Sequence, residues 1–210
     1  MMVSFITAMV IALGKIAISL LSAFAVVYFR FPFRGLVFWM IFITLMLPVE
    51  VRIQPTYKVM VDLGLIDTYP GLILPLIASA TATLLFRQFF MTIPDELLEA
   101  ARVDGASEFR TFWQISLPLL APGIVTTALF TIVATWNNYF LPLIMLKDAD
   151  WYPLTIGLNQ WKDQASTAGG QAIQNLVITG SLITIIPLVI AFLCLQKYWQ
   201  SGLAAGAVKE

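Results

Sequence analysis

Glu99, Arg102 and Asp104 stand in the stretch Glu99-Ala100-Ala101-Arg102-Val103-Asp104-Gly105-Ala106-Ser107, a charged island between two long apolar runs. Their chemistry is ionic docking: carboxylates and a guanidinium can pair with opposite charges on another surface. Groups that make or break bonds are scarce. The sequence contains no histidine, which removes imidazole acid–base catalysis and histidine metal sites. Its one cysteine, Cys194, lies in an apolar run and reads as a small apolar side chain, with no partner for an intrachain disulfide. Gly14-Lys15 is followed by Ile16 and lacks the upstream glycine of a phosphate-binding loop, so any ATP would be bound by another chain. No nucleophile is paired with a base. The chain is therefore expected to be no enzyme, with no catalytic residue, metal ligand or cofactor.

What must position the island is a set of membrane helices. The 210 residues are 60 % hydrophobic and 11 % charged, with a mean hydropathy of +0.87. Soluble domains run about 45–50 % apolar and about 25 % charged. A zero net charge and a pI near 6.2 argue against a nucleic-acid partner, which would need a basic surface. A spanning helix needs about 20 mainly apolar residues. Five segments qualify, at roughly 3–27, 35–57, 70–90, 122–145 and 172–196. These runs are long and continuous, unlike the short alternating segments of a barrel. The expected fold is an all-α integral membrane protein in the lipid bilayer.

Lysine and arginine placement orients it. The turn Arg30-Phe31-Pro32-Phe33-Arg34, the segment 87–121 and the tail share one side, which holds Arg30, Arg34, Arg87, Arg102, Arg110, Lys197 and Lys209. The other side holds Arg52, Lys58, Lys147 and Lys162. This bias puts the island and the C-terminus in the cytoplasm of a multi-pass protein of the cell membrane, and the N-terminus outside. A chain that begins directly with a span suggests a missing upstream helix. The expected division is a transmembrane domain over 1–199 and a small, glycine-rich cytoplasmic tail over 200–210.

Within the island, Thr92 is placed to cap a helix running from Glu96 to about Asp104, with Asp95 and Glu96 at its positive end. Gly105 can take the left-handed conformation that ends it. Ser107 then caps a second short helix through Phe109, Phe112 and Trp113, which Pro118 breaks. On the residues alone this is either a docking hairpin or an interfacial connection between two spans.

Elsewhere, Asn137 and Asn138 sit mid-run in the fourth span, where bare amides are costly. They read as lining a polar translocation path or as hydrogen-bonding across helices. Lys15, deep in the first span, reads as snorkelling, as paired, or as facing a water-filled path. Glu50 and Arg52 read as a pair across the mouth or as interfacial residues, and the small residues Ala78 to Thr83 as close helix packing. Residues 58–69 and 147–171 read as polar connections, the second with an Ala168-Gly169-Gly170 turn.

Glu99-Ala100-Ala101, Asp104-Gly105-Ala106 and Ile115-x-Leu117-Pro118 resemble the EAA loop of type I ABC importer permeases. The whole chain resembles their carbohydrate-uptake branch, as the smaller maltose permease subunit does. The resemblance implies a six-helix core, of which this chain would lack the first helix, with a cytoplasmic coupling helix pair. It implies three kinds of partner: a second, different permease subunit, a cytoplasmic ATPase dimer, and an extracytoplasmic substrate-binding protein. Glu99, Ala100, Ala101, Asp104 and Gly105 would form the ATPase-coupling site, and Gly202 to Glu210 a further contact with the ATPase. The 147–171 segment, with Trp151, Asn159 and Trp161, would meet the binding protein, or its tryptophans would anchor at the interface. The runs Leu47-Pro48-Val49-Glu50-Val51-Arg52-Ile53 and Ala78 to Phe90 resemble the glycerol-3-phosphate-uptake members, whereas Trp136-Asn137-Asn138-Tyr139 to Trp161 resembles oligosaccharide permeases. Cargo is thus sn-glycerol-3-phosphate or a sugar. The competing reading is a secondary transporter or channel with no ATPase.

Overall fold

The structure, a computed structural model, describes the backbone of residues 1–168 and 171–207 and the side chains of 1–166 and 173–197. Gly169-Gly170 and Val208 to Glu210, parts of the expected loop turn and tail, lie outside the described residues. The order is α1 (Met2–Tyr28), α2 (Arg34–Met46), α3 (Val49–Asp62), α4 (Tyr69–Ile77), α5 (Ala80–Phe90), α6 (Asp95–Val103), α7 (Glu108–Thr111), a π turn (Phe112–Ser116), α8 (Leu117–Leu119), α9 (Ala121–Trp136), α10 (Phe140–Met145), a 3-10 turn (Ala149–Trp151), α11 (Leu154–Ala168) and α12 (Gln171–Ala207). The chain is all-α, and no strand occurs among the described residues.

Two helices are long and apolar enough to cross a membrane unbroken, Met2–Tyr28 and Ile173–Lys197; there are five spans if each bent helix pair counts as one. The other three apolar runs are interrupted. At Leu47, Pro48 forces the preceding residue out of the helical region, and its backbone is extended at φ −85°, ψ 115°. Within 70–90 the chain breaks at Ala78-Ser79. Ser79 is extended, and its hydroxyl accepts the N–H of Ala82 at 3.3 Å. The small-residue run expected to be a packing surface thus also holds a helix restart, and Ala82 and Thr83 within it are buried. The fourth run stops at Trp136. Asn137 donates its side-chain amide to the carbonyl of Val133 at 2.9 Å, in the way asparagine competes with the helical ladder. Both asparagines therefore sit at a break between α9 and α10, not mid-helix.

The expected polar loop over 147–171 is largely helix. Pro153 precedes α11, and its carbonyl accepts the N–H groups of Ile156 and Gly157. Ile156 and Ala165 are buried toward the two ends of α11, and Gln160, Lys162 and Gln164 between them stand exposed on a helix and not on a loop. The connection expected over 58–69 shortens to 63–68 because α3 continues to Asp62. As far as Ala207, the expected tail is a continuation of α12.

The chain forms two compact units. One contains Met1–Leu13, Val49–Ile77 and Leu129–Leu195. Its core joins Met60, Leu72, Met145 and Leu146, with Trp151 set edge-on to Tyr69 at 4.7 Å. The other contains Gly14–Pro48, Ala78–Ala128 and the chain from Gln196. Its core joins Leu20, Ala23 and Phe24 of α1, Phe86 and Phe90 of α5, and Ile93, Leu98, Phe112 and Leu120. Phe24 is the hub, with ring centroids 5.6 Å from Phe90 and 5.0 Å from Phe112. Tilted and edge-on pairs like these are worth about 0.5–1.5 kcal/mol each beyond their buried area.

Candidate functional site

The charged island folds on this second core. α6 begins after Pro94, whose side chain makes no cap, and carries Asp95 and Glu96 in its first turn. Thr92, expected to cap it, instead turns its hydroxyl back to the carbonyl of Phe89 at 2.7 Å. The reason is proximity: Thr92 sits three residues past Phe89, within reach of the carbonyls left free at the end of α5. Along α6, Leu98 and Ala101 are buried, whereas Glu99 and Ala100 face outward. Spacing of three residues puts Leu98 and Ala101 on one face.

Gly105 turns the chain at φ +75°, the left-handed conformation glycine adopts without penalty. Ser107 then caps α7, accepting the N–H of Arg110 at 3.3 Å. Across the bend the Arg102 guanidinium meets the Glu108 carboxylate at 3.3 Å. Both side chains are half-exposed, so the pair contributes at most about 1 kcal/mol.

The second helix does not end at Pro118 as expected. It widens into a π turn over Phe112–Ser116, with the N–H of Leu117 bonded to the carbonyl of Phe112, and continues to Leu119. A proline ring in a regular helix presses on the carbonyl four residues earlier, here Gln114. The wide turn relieves that contact. Around the bend Val103 is 87 % exposed, and Phe109 and Trp113 are exposed as well. Exposed apolar side chains beside an exposed carboxylate make a surface suited to docking another protein.

The other unit contains a small, partly open recess of about 10 Å³, room for about one water, lined by Ser4, Thr7, Ile11, Leu72, Leu76, Thr135, Asn138, Pro142 and Pro153. Asn138 is thus brought to a partly polar recess. Lys15 is not among its lining residues; it sits half-buried on α1 within the second unit. Sequence reasoning missed Ser4, Thr7 and Thr135. Three hydroxyls in otherwise apolar runs were the available signal. The Ser4 hydroxyl also accepts the N–H of Leu154 at 2.8 Å, which fixes the start of α11. Thr155 donates to the carbonyl of Asn138 at 3.0 Å, and Asn159 donates to the Tyr139 hydroxyl at 2.8 Å. Trp151 and Asn159 therefore have partners inside the unit, whereas Trp161 is 44 % exposed. Glu50 and Arg52 are both exposed on α3, two residues apart, and so do not face each other.

Asp67 is a further link that the sequence did not suggest. It sits at φ +58°, a conformation aspartate tolerates better than most residues. Its carboxylate accepts the backbone N–H groups of Lys147 and Asp148, and its own N–H donates to Met145 at 3.2 Å. The Lys147 N–H, followed by that of Asp148, holds the Asp67 carboxyl below the ordinary carboxylate range. A lowered acid favours the fold above the usual carboxylate pKa of about 4, and that contribution is lost as pH falls through the folded value. Asp67→Ala is expected to lower the detergent melting midpoint at pH 7, with the gap from wild type closing as pH falls below about 4. Asp67→Asn, which keeps one carbonyl oxygen, should fall between them.

Three comparisons bear on what this arrangement serves. The family model described as "Binding-protein-dependent transport system inner membrane component" matches residues 15–204. The sn-glycerol-3-phosphate transport system permease protein UgpE of Yersinia pestis bv. Antiqua is 50 % identical over 200 residues, covering 95 % of this chain and 70 % of that protein. The proteins of the same description from Brucella abortus and Agrobacterium fabrum are 52 % and 54 % identical, again over 95 % of this chain and 70 % of theirs. Among solved structures, a bacterial ABC transporter involved in the import of the acidic polysaccharide alginate superposes with a TM-score of 0.80 at 24 % identity, covering 94 % of this chain and 73 % of that one.

Proposed function

Because the chain belongs to the binding-protein-dependent transport system inner membrane components, we propose that this permease subunit forms half of a translocation pathway for sn-glycerol-3-phosphate. The cargo is inferred from relatives at 50–54 % identity over nearly the whole chain, all described as sn-glycerol-3-phosphate permeases. It pairs with a second, different permease subunit, receives cargo from an extracytoplasmic binding protein, and is driven by a cytoplasmic ATPase dimer. ATP hydrolysis belongs to that separate subunit.

The observation that carries the coupling role is the geometry of α6 and α7. Glu99 and Asp104 are exposed beside a left-handed Gly105, on a helix whose opposite face is seated in an aromatic core. Glu99 pairs with a basic group on the ATPase, the outward Ala100 permits close approach, the buried Ala101 seats the helix, and Gly105 sets the bend. The lysine and arginine bias supports placing this face, and the chain from residue 200, in the cytoplasm.

Asn137 and Asn138 at the helix break, with the recess hydroxyls, line the path. Lys15 supplies a cation suited to a phosphate-bearing cargo. The binding-protein contact rests first on exposed Trp161, with Trp151 and Asn159 seating the helix that presents it.

The test is uptake into proteoliposomes containing the full set of subunits. Labelled sn-glycerol-3-phosphate should accumulate only with ATP inside and binding protein outside. Accumulation of a maltooligosaccharide in its place would overturn the cargo assignment. Uptake that persists without nucleotide would make the protein a secondary transporter.

A further inference from the structure

The second unit ties the end of α1 to the start of the charged island by one specific bond. The Tyr28 hydroxyl donates to the carbonyl of Phe90 at 2.8 Å. Phe90 is the last residue of α5, and its carbonyl also accepts the N–H of Ile93 at 3.2 Å. From that carbonyl the chain turns through Met91 to Pro94 and enters α6 at Asp95. The Tyr28 ring lies 4.9 Å from Phe24 and 5.8 Å, edge-on, from Phe90. Phe24 in turn meets Phe112, where the second helix of the island widens into its π turn. The end of α5, from which the chain turns into α6, and the π turn after α7 thus both rest on the last two turns of α1, through aromatic contacts that have area but little directionality. The hydroxyl bond is directional. It aims one carbonyl, and that carbonyl begins the turn that sets the direction of α6.

We propose that Tyr28 is a positioning residue for energy coupling: through the Phe90 carbonyl it holds the docking helix at the angle at which ATPase movement is passed to α1. This rests on the ATPase-driven reading above. α1 suits the role because it is unbroken from Met2 to Tyr28, whereas the three bent helix pairs are interrupted. A rigid helix passes on a displacement that a broken one absorbs.

The experiment uses the complete transporter with Tyr28→Phe, which removes only the oxygen, and Thr92→Ala as control. Thr92 bonds the neighbouring carbonyl of Phe89, but from within the same turn. Complex assembly, basal ATP hydrolysis and sn-glycerol-3-phosphate imported per ATP are measured together. For Tyr28→Phe, assembly and basal hydrolysis should match wild type while cargo per ATP falls about threefold or more, the scale of one lost hydrogen bond. Thr92→Ala should leave the ratio unchanged. An unchanged ratio in Tyr28→Phe would overturn the inference, as would an equal drop in Thr92→Ala or loss of assembled complex in Tyr28→Phe. A wild-type transporter that imports without ATP would instead overturn the reading on which the inference rests.

Discussion

Glu99→Ala is expected to reduce ATP-driven import at least about tenfold while membrane insertion and subunit abundance stay at wild-type levels. Removing one member of a desolvated charge pair at an interface typically costs 2–5 kcal/mol, roughly a factor of thirty or more in binding. Insertion should be spared because Glu99 is exposed on α6 and contributes nothing to the core that seats Leu98 and Ala101. The measurement is import and binding-protein-stimulated ATP hydrolysis in the same vesicles, with quantified subunit content. Full import and full stimulation in the variant would remove Glu99 from the coupling site. If Glu99 instead mattered only for folding, abundance would drop together with import.

Gly71→Ala is expected to be the most damaging single methyl addition in the other unit. A Cβ at Gly71 would lie 2.0 Å from the carbonyl oxygen of Leu65 and 3.1 Å from its carbon. Both are backbone atoms, so no rotamer change can relieve the clash. The neighbourhood is also heavily bonded. Thr68 donates its hydroxyl to that same Leu65 oxygen at 2.7 Å and accepts the Gly71 N–H at 3.2 Å. Leu65 in turn donates to Met60 at 2.9 Å. Shifting α4 to make room would disturb this turn and the packing of Leu72 against Met145. Overpacking commonly costs 1–3 kcal/mol, and a collision with immovable atoms belongs at about 3 kcal/mol or above. Unfolding in mixed detergent should show it; a midpoint within a degree or two of wild type would mean that α4 can slide freely.

The membrane character and the helix–bend–helix of the island were legible because their causes are local. Long apolar runs have one common solution in lipid, and Gly105 and Ser107 act on their immediate neighbours. The breaks at Leu47-Pro48, Ser79 and Asn137 were also written in local chemistry. They were overlooked because apolar composition continues through them, and hydropathy is blind to backbone direction. α11 was missed for the opposite reason. Its exposed middle, with Gln160, Lys162 and Gln164, reads as loop because the buried Ile156 and Ala165 lie nine residues apart, too far to show an apolar stripe. Asp67 with Lys147 and Tyr28 with Phe90 were out of reach, since each joins residues far apart in the chain through a backbone group that has no signature in the sequence.

Of the side chains of α12 from Ile173 to Lys197, none is buried, and Ile178 and Leu182 are 68 % and 64 % exposed. Gly180 differs, because a methyl there would meet Leu158 at 2.7 Å and Trp161 at 3.3 Å. Tolerance of sequence change along this helix should therefore be sharply uneven. At Ile178 and Leu182, which the chain's own packing leaves largely exposed, leucine, valine and phenylalanine should be interchangeable as far as that packing is concerned. At Gly180 even alanine forces the Leu158 side chain to move.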